Sequence, residues 1–121
     1  MIDHVALYVT EVDRSRRFYE QALAPLGYAV AVESEGVIGF AHEGSLEFVV
    51  RGGPEANTSA HVAFQADDRS TVEAFHAAAT SAGGTDAGAP GVREHYHAAY
   101  YAAFVTDPDG NNIEAVCHKP A

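Results

Sequence analysis

Two histidine-containing segments of this chain share one sequence and lie 57 residues apart. His4-Val5-Ala6 near the start recurs as His61-Val62-Ala63 near the middle. Each copy later reaches an apolar run with a single carboxylate, Glu47 in the first and Glu114 in the second. Imidazole and carboxylate groups are common ligands of divalent metal ions. The candidate metal ligands are therefore His4, Glu47, His61 and Glu114.

The same offset relates further residues, which indicates that the chain is internally duplicated. It carries Phe18 onto Phe75, Ala22 onto Ala79 and Gly27 onto Gly84. A repeated unit buries its apolar face by packing against another copy of itself. We therefore predict a single domain over residues 1–121, with a first module at 1–51, a polar linker at 52–59 and a second module at 60–121.

The first module is predicted to contain a strand, a helix and three further strands. Its first segment alternates apolar and polar residues, which is typical of a strand, and the next has apolar residues at helical spacing. Asp13 is the predicted helix N-cap, and Pro25 and Gly27 end the helix. The predicted segments are strand 2–9, helix 14–24 and strands 28–33, 36–42 and 46–51.

The second module repeats this order. A capping-box pattern from Ser70 to Glu73 begins its helix, which Gly83 and Gly84 end. The small residues at 85–91 are predicted to form a loop, and Asp107-Pro108-Asp109-Gly110 is a strong turn signal. The predicted strands are 60–66, 93–97, 99–106 and 112–118.

The composition limits the function classes. The chain has 7 basic and 17 acidic residues, for a net charge of −10, and one cysteine, Cys117. Without a basic patch, neither nucleic acid nor an anionic membrane is an expected partner. One cysteine forms no internal disulfide, and no signal peptide or membrane-length apolar run is visible. We expect a cytoplasmic location.

Four segments together resemble one known superfamily. They are Ile2-Asp3-His4-Val5-Ala6-Leu7, Arg17-Phe18-Tyr19, Ala60-His61-Val62-Ala63-Phe64 and the run from Phe104 to Glu114 that contains Asp107-Pro108-Asp109-Gly110-Asn111-Asn112-Ile113-Glu114. The chain resembles the vicinal oxygen chelate superfamily over essentially its whole length. That superfamily includes glyoxalase I, the bleomycin and fosfomycin resistance proteins, methylmalonyl-CoA epimerase and extradiol dioxygenases.

The resemblance implies a fold, a cofactor and an assembly. The fold class is α+β, with two βαβββ modules forming a curled mixed sheet around a central cavity. The cavity holds a divalent metal ion, usually in a homodimer, and the first and last strands of each module supply the ligands. Those positions match His4, Glu47, His61 and Glu114. Such a nitrogen and oxygen set suits Zn, Ni, Mn, Fe or Co.

Two ligand sets follow from the resemblance. All four residues together match the set of glyoxalase I and the epimerase. His4, His61 and Glu114 without Glu47 match the two-histidine, one-carboxylate set of the dioxygenases and the fosfomycin group. Whether the site forms within one chain or across a dimer is left open.

A second group of candidates lies in the longer second module. Arg93, His97, Tyr100 and Tyr101 fall in a stretch rich in histidine and tyrosine, and they are candidate substrate-binding residues. His97 could also move a proton near neutral pH. The alternative is a polar hairpin with two packing tyrosines.

Three functions fit these features. The first is a metal-dependent lyase or isomerase for a small oxygen-rich molecule, in which Glu114 or Glu47 acts as the catalytic base. The second is a non-haem Fe(II) dioxygenase of the extradiol type, and the third is a binding protein that sequesters a drug or metabolite. The presence of every ligand type favours the first over the third.

Overall fold

The computed structural model describes residues 1–121 and shows two modules with the same order of elements. The first contains β1 (Val5–Val9), α1 (Val12–Leu23), a 3-10 turn (Ala24–Leu26), β2 (Tyr28–Ser34), β3 (Val37–His42) and β4 (Ser45–Gly52). The second contains β5 (His61–Gln65), α2 (Arg69–Ser81), β6 (Thr85–Val92), β7 (Tyr101–Thr106) and β8 (Asn112–Cys117). This βαβββ repeat confirms the predicted fold class. Neither helix is long and apolar enough to cross a membrane.

Each module forms its own four-stranded mixed sheet. The strand orders are β1-β4-β3-β2 and β5-β8-β7-β6, so the two sheets match in topology and do not close into one. In both, the first strand runs parallel to the last strand of its module, and the other pairs are antiparallel. His61 therefore lies on an edge strand directly beside β8, which carries Glu114.

The helices bury the residues that the repeat relates. Phe18 and Ala22 of α1 are fully buried, as are their counterparts Phe75 and Ala79 of α2. Burial of a phenylalanine side chain stabilises a fold by roughly 1.5–3 kcal/mol. The duplication is thus a duplication of core positions.

The helix starts differ from the predicted caps. α1 begins after Glu11, which makes no side-chain cap bond, so the predicted N-cap Asp13 lies inside the first turn. α2 is capped by Asp68, whose carboxylate accepts a hydrogen bond from the backbone N–H of Thr71 at 2.8 Å. The predicted capping box at Ser70 starts two residues later than the cap that the structure uses.

The two sheets face each other through their helix-covered sides. The ring of Phe64 on β5 lies 5.4 Å from the ring of Phe48 on β4 and 5.4 Å from that of Tyr28 on β2. These contacts join both modules into one core of 21 buried residues. Each sheet therefore has a helix face toward this core and an open face directed away from it.

Two predicted segments of the second module were wrong. Residues 85–91 form most of β6 rather than a loop, and residues 93–97 form turns rather than a strand. Pro90 is compatible with β6 because this strand lies at a sheet edge, where one side of its backbone has no ladder partner. The segment 93–100 thus becomes a long irregular connection between β6 and β7.

The predicted turn at Asp107 is present and tied to α1. The buried Asp107 carboxylate accepts hydrogen bonds from the Tyr19 hydroxyl at 2.5 Å and from the backbone N–H of Asn111 at 2.8 Å. Burial, followed by the charge and hydrogen bond of Asp107, raises the pKa of Tyr19 well above its usual value. This network fixes the start of β8 and with it the position of Glu114.

Candidate functional site

His61 and Glu114 meet on the open face of the second sheet. His61 Nε2 lies 3.0 Å from Glu114 Oε1. The Glu114 side chain is only 3% exposed, whereas that of His61 is 49% exposed. The Glu114 carboxylate is therefore nearly buried, and the imidazole beside it is open to solvent.

The second ring nitrogen of His61 is held by the backbone. His61 Nδ1 lies 3.0 Å from the carbonyl oxygen of Asn112, which can only accept a hydrogen bond. In a neutral imidazole Nδ1 then carries the proton, and the lone pair of Nε2 points at the carboxylate of Glu114. A proton or a metal ion between these two atoms removes the resulting repulsion.

The spacing of the pair matches that of two ligands on one metal ion. Ligand atoms about 2.1 Å from an octahedral metal, and at right angles to each other, lie about 3.0 Å apart. Metal-bound imidazoles also commonly donate their other N–H to a carbonyl oxygen, as Nδ1 does here. His61 and Glu114 therefore fit as two ligands of a divalent ion.

Tyr100 covers the second oxygen of Glu114. Its hydroxyl donates a hydrogen bond to Glu114 Oε2. Burial, and then the hydrogen bond and charge of Glu114, raises the pKa of Tyr100 to about 12. The phenol therefore stays protonated at neutral pH, and Oε1 is left to face His61.

Sequence reasoning missed Asn112 as a site residue. It pairs with His61 across β5 and β8, and alternation places it on the open face with Glu114. Its side-chain Oδ1 is buried and has no hydrogen-bond partner. A buried polar atom without a partner carries a free-energy cost, so this oxygen is an acceptor available to a bound hydroxyl or water. The sequence did contain a signal for Asn112. It lies two residues before Glu114, so alternation places both side chains on the same face of the last strand.

Glu47 does not share the arrangement of its counterpart Glu114. Phe40 on β3 pairs with Phe48, but the next residue of β3 pairs with Leu46, so β4 has a bulge at Glu47. A bulge changes the direction of a side chain. Glu47 Oε1 instead accepts a hydrogen bond of 2.7 Å from the hydroxyl of Tyr28, a residue of the helix face.

His4 lies just before β1 and is not part of the His61 and Glu114 pair. Its side chain is 51% exposed, and its Nδ1 lies 2.8 Å from the Asp3 carboxylate. If the alternation of β1 is extended to His4, its side chain lies on the same side as those of Ala6 and Tyr8, which is the open face of the first sheet. No group of three or more His, Cys, Asp or Glu side chains in the chain is placed to hold a metal ion. The four predicted ligands thus do not converge within one subunit.

The predicted substrate-binding residues divide between the two faces. Tyr100 and His97 belong to the segment over the open face, where His97 Nε2 lies 2.9 Å from Nδ1 of His118. Arg93 lies over the ring of Phe104, and that ring stacks on His61. Tyr101 differs, because its hydroxyl donates to Glu73 on α2 at 2.7 Å and so lies on the helix face.

Comparison with known proteins decides the family. The model of the Glyoxalase/Bleomycin resistance protein/Dioxygenase superfamily matches residues 1–115. The chain belongs to this superfamily. A search of curated proteins gives no significant match.

Solved structures of the superfamily share this fold. A glyoxalase/bleomycin resistance protein from Albidiferax ferrireducens is 28% identical, with a TM-score of 0.86 over 98% of this chain and 99% of that one. A lactoylglutathione lyase from Agrobacterium tumefaciens is 18% identical, with a TM-score of 0.69 over 97% and 92% of the two chains. A glyoxalase-related enzyme from Fulvimarina pelagi is 17% identical, with a TM-score of 0.76 over 97% and 87%.

Proposed function

We propose that this member of the superfamily is a metal-dependent enzyme of the lyase or isomerase type that acts on a small oxygen-rich molecule. The observation that supports this most is the His61 and Glu114 pair, with its 3.0 Å separation and its oriented imidazole. A protein described as a lactoylglutathione lyase shares the fold of this chain at 18% identity.

His4 of a partner subunit is proposed as the third ligand. Within one chain no third His, Cys, Asp or Glu side chain joins His61 and Glu114 in a group that could hold a metal ion. The open face of the first sheet also exposes apolar side chains, with Tyr8 41% and Val32 39% exposed. Exposed apolar surface beside unpaired edge strands favours association. A twofold homodimer would cover this face and bring His4 to the partner's pair.

The chemistry follows from the groups at the pair. A divalent ion bound there would polarise a substrate oxygen and stabilise an adjacent negative charge. Asn112 Oδ1 is available to accept a hydrogen bond from a substrate hydroxyl, and Phe104 with the segment 93–100 limits access of water. Tyr100 keeps its proton and holds the Glu114 carboxylate in one orientation.

A second candidate function is an Fe(II) dioxygenase. The bulge at Glu47 favours it, because a set of His4, His61 and Glu114 leaves three octahedral positions for substrate and oxygen. The third candidate, a protein that sequesters its ligand without turnover, has no observation in its favour beyond the family itself.

Metal titration tests the proposal. Chelator-treated protein is expected to bind one ion of Zn, Ni, Mn, Fe(II) or Co per chain, as measured by calorimetry and elemental analysis. His61→Ala should weaken binding by a factor on the order of 10² or more, since loss of an outer partner alone costs 10–100-fold. His76→Ala is the matched control, because His76 is hydrogen-bonded to Asp86 at 2.8 Å on the surface of α2. A parent protein that binds no ion, or an equal affinity in His61→Ala, would contradict the assignment.

Tyr100 is expected to support the metal site without being a ligand. Tyr100→Phe removes the hydroxyl that orients Glu114, so metal affinity should fall by roughly 10–100-fold. Tyr101→Phe is the control, since its hydroxyl bonds Glu73 on the opposite face. Calorimetric titration of both variants checks this, and equal affinities would show that Tyr100 does not position the carboxylate.

A further inference from the structure

A groove lies between the two modules and contains neither His61 nor Glu114. It has a volume of about 730 Å³ and runs between the start of β1, β4 and the end of β5. A smaller pocket of about 410 Å³ adjoins it, and Tyr28, Glu47 and Gln65 line both. Volumes in this range are typical of sites for small ligands. We refer to this space as the inter-module groove.

The walls of the inter-module groove are aromatic. Phe64 meets Phe48 edge to face, at an interplanar angle of 78°, and meets Tyr28 at 80°. Phe48 and Phe64 are only 1% and 6% exposed, so the half-buried Tyr28, Val5 and Val62 supply the accessible apolar surface. Ring faces and aliphatic groups of this kind suit an apolar ligand body, and aromatic faces also attract cations.

The charge of the inter-module groove is negative. Glu47, Asp3 and Asp67 contribute carboxylates to the groove and the adjoining pocket. Met1, which carries the N-terminal amino group, and His42 also line these spaces, but no lysine or arginine side chain does. Asp3 already faces His4 at 2.8 Å. Glu47 lines both spaces and forms no ion pair, since its hydrogen-bond partner is the neutral hydroxyl of Tyr28.

The Tyr28 contact occupies one of the two carboxylate oxygens of Glu47. Burial, and then the hydrogen bond to Glu47, raises the pKa of Tyr28, so this phenol remains a donor. With Oε1 occupied by that bond, Oε2 is available to a ligand. The bulge in β4 therefore moves the carboxylate from the metal-facing side of the sheet into an aromatic groove.

We propose that the inter-module groove binds a small organic ammonium ion with an aromatic or aliphatic body, and that Glu47 is its counter-ion. The ammonium group lies against Glu47 Oε2, and the apolar body packs on Tyr28, Val5 and Val62. Neither His61 nor Glu114 lines the groove or the adjoining pocket, so this proposal does not depend on the proposed reaction.

Three probes of similar shape and different charge test this proposal. They are 2-phenylethylammonium, neutral 2-phenylethanol and anionic 3-phenylpropanoate, each titrated into chelator-treated and metal-loaded protein. The ammonium probe is expected to bind at least about tenfold more tightly than the alcohol, with the anion weakest. The amide NMR shift changes that the ammonium probe causes should map to β1, β4 and β5 near Glu47. They should do so in both chelator-treated and metal-loaded protein. Equal affinity for the ammonium ion and the alcohol, absent binding at millimolar concentration, or shifts confined to the open faces would overturn the proposal.

Variants then identify the counter-ion. Glu47→Gln should reduce ammonium affinity about tenfold and leave 2-phenylethanol affinity unchanged, whereas Glu47→Asp should retain preference for the cation. Glu55→Gln, at an exposed linker position, is the matched control. Ammonium affinity that is unchanged in Glu47→Gln, or equally reduced in the control, would contradict the role of Glu47. If Glu47→Gln does not fold, Glu47→Asp and the comparison of probes on the parent protein decide the question.

Discussion

Replacing Glu114 by glutamine is expected to lower turnover by a factor on the order of 10² or more. The change keeps the size of the side chain and its place under Tyr100 but removes the charge from Oε1, the atom 3.0 Å from His61. Because Glu114 is nearly buried, no water readily substitutes for its oxygen. The measurement is steady-state turnover on a panel of small α-hydroxy ketones, hemithioacetals and catechols with Ni, Mn and Fe(II).

The pattern of results separates the candidate functions. Turnover of a hydroxy ketone or hemithioacetal that Glu114→Gln abolishes supports a lyase or isomerase. Ring cleavage of a catechol with Fe(II) and oxygen alone supports the dioxygenase. No turnover with any metal, together with ligand affinity that Glu114→Gln leaves unchanged, would show a sequestering protein. Glu55→Gln should behave as the parent throughout.

The internal repeat predicted the duplicated order of elements because it marks core positions, whereas the arrangement of the sheets was predicted from the resemblance to the superfamily. Phe18 and Phe75 recur for the same physical reason, since each fills the space between a helix and its sheet. The order of elements followed from this duplication and from alternation. The sequence predicted single-residue features less well. The helices begin after Glu11 and Asp68, whereas the predicted starts were at Asp13 and Ser70.

The repeat was less informative about Glu47. Strict alternation would place Glu47 on the open face, as it places Glu114, and the two runs look equivalent in the sequence. Phe104 pairs with Glu114 without any shift of register, whereas β4 accommodates an extra residue at Glu47. A bulge depends on how two strands pair, so neither strand's sequence alone reveals it.

The misplaced segments of the second module have a similar cause. Thr85 to Val92 is rich in small residues and contains Pro90, features that favour a loop. It forms an edge strand because β7 offers it a partner, with register shifts near Gly88. The following segment could then cover Glu114 through Tyr100, a contact that depends on tertiary packing.

A metal site shared between subunits fixes how many metal ions each variant should retain. His4→Ala removes one ligand from each site of the homodimer, and His61→Ala removes another, so neither variant should retain metal at concentrations that saturate the parent. In a heterodimer of the two variants, one site loses both histidines and the other keeps all its ligands.

The most direct measurement is the metal content of that heterodimer, purified after co-expression with two different non-histidine tags. A metal site shared between subunits predicts about one tightly bound ion per heterodimer, against two for the parent dimer and none for either single variant. A heterodimer without metal, a His4→Ala protein that binds metal as the parent does, or a parent that binds metal as a monomer would contradict it.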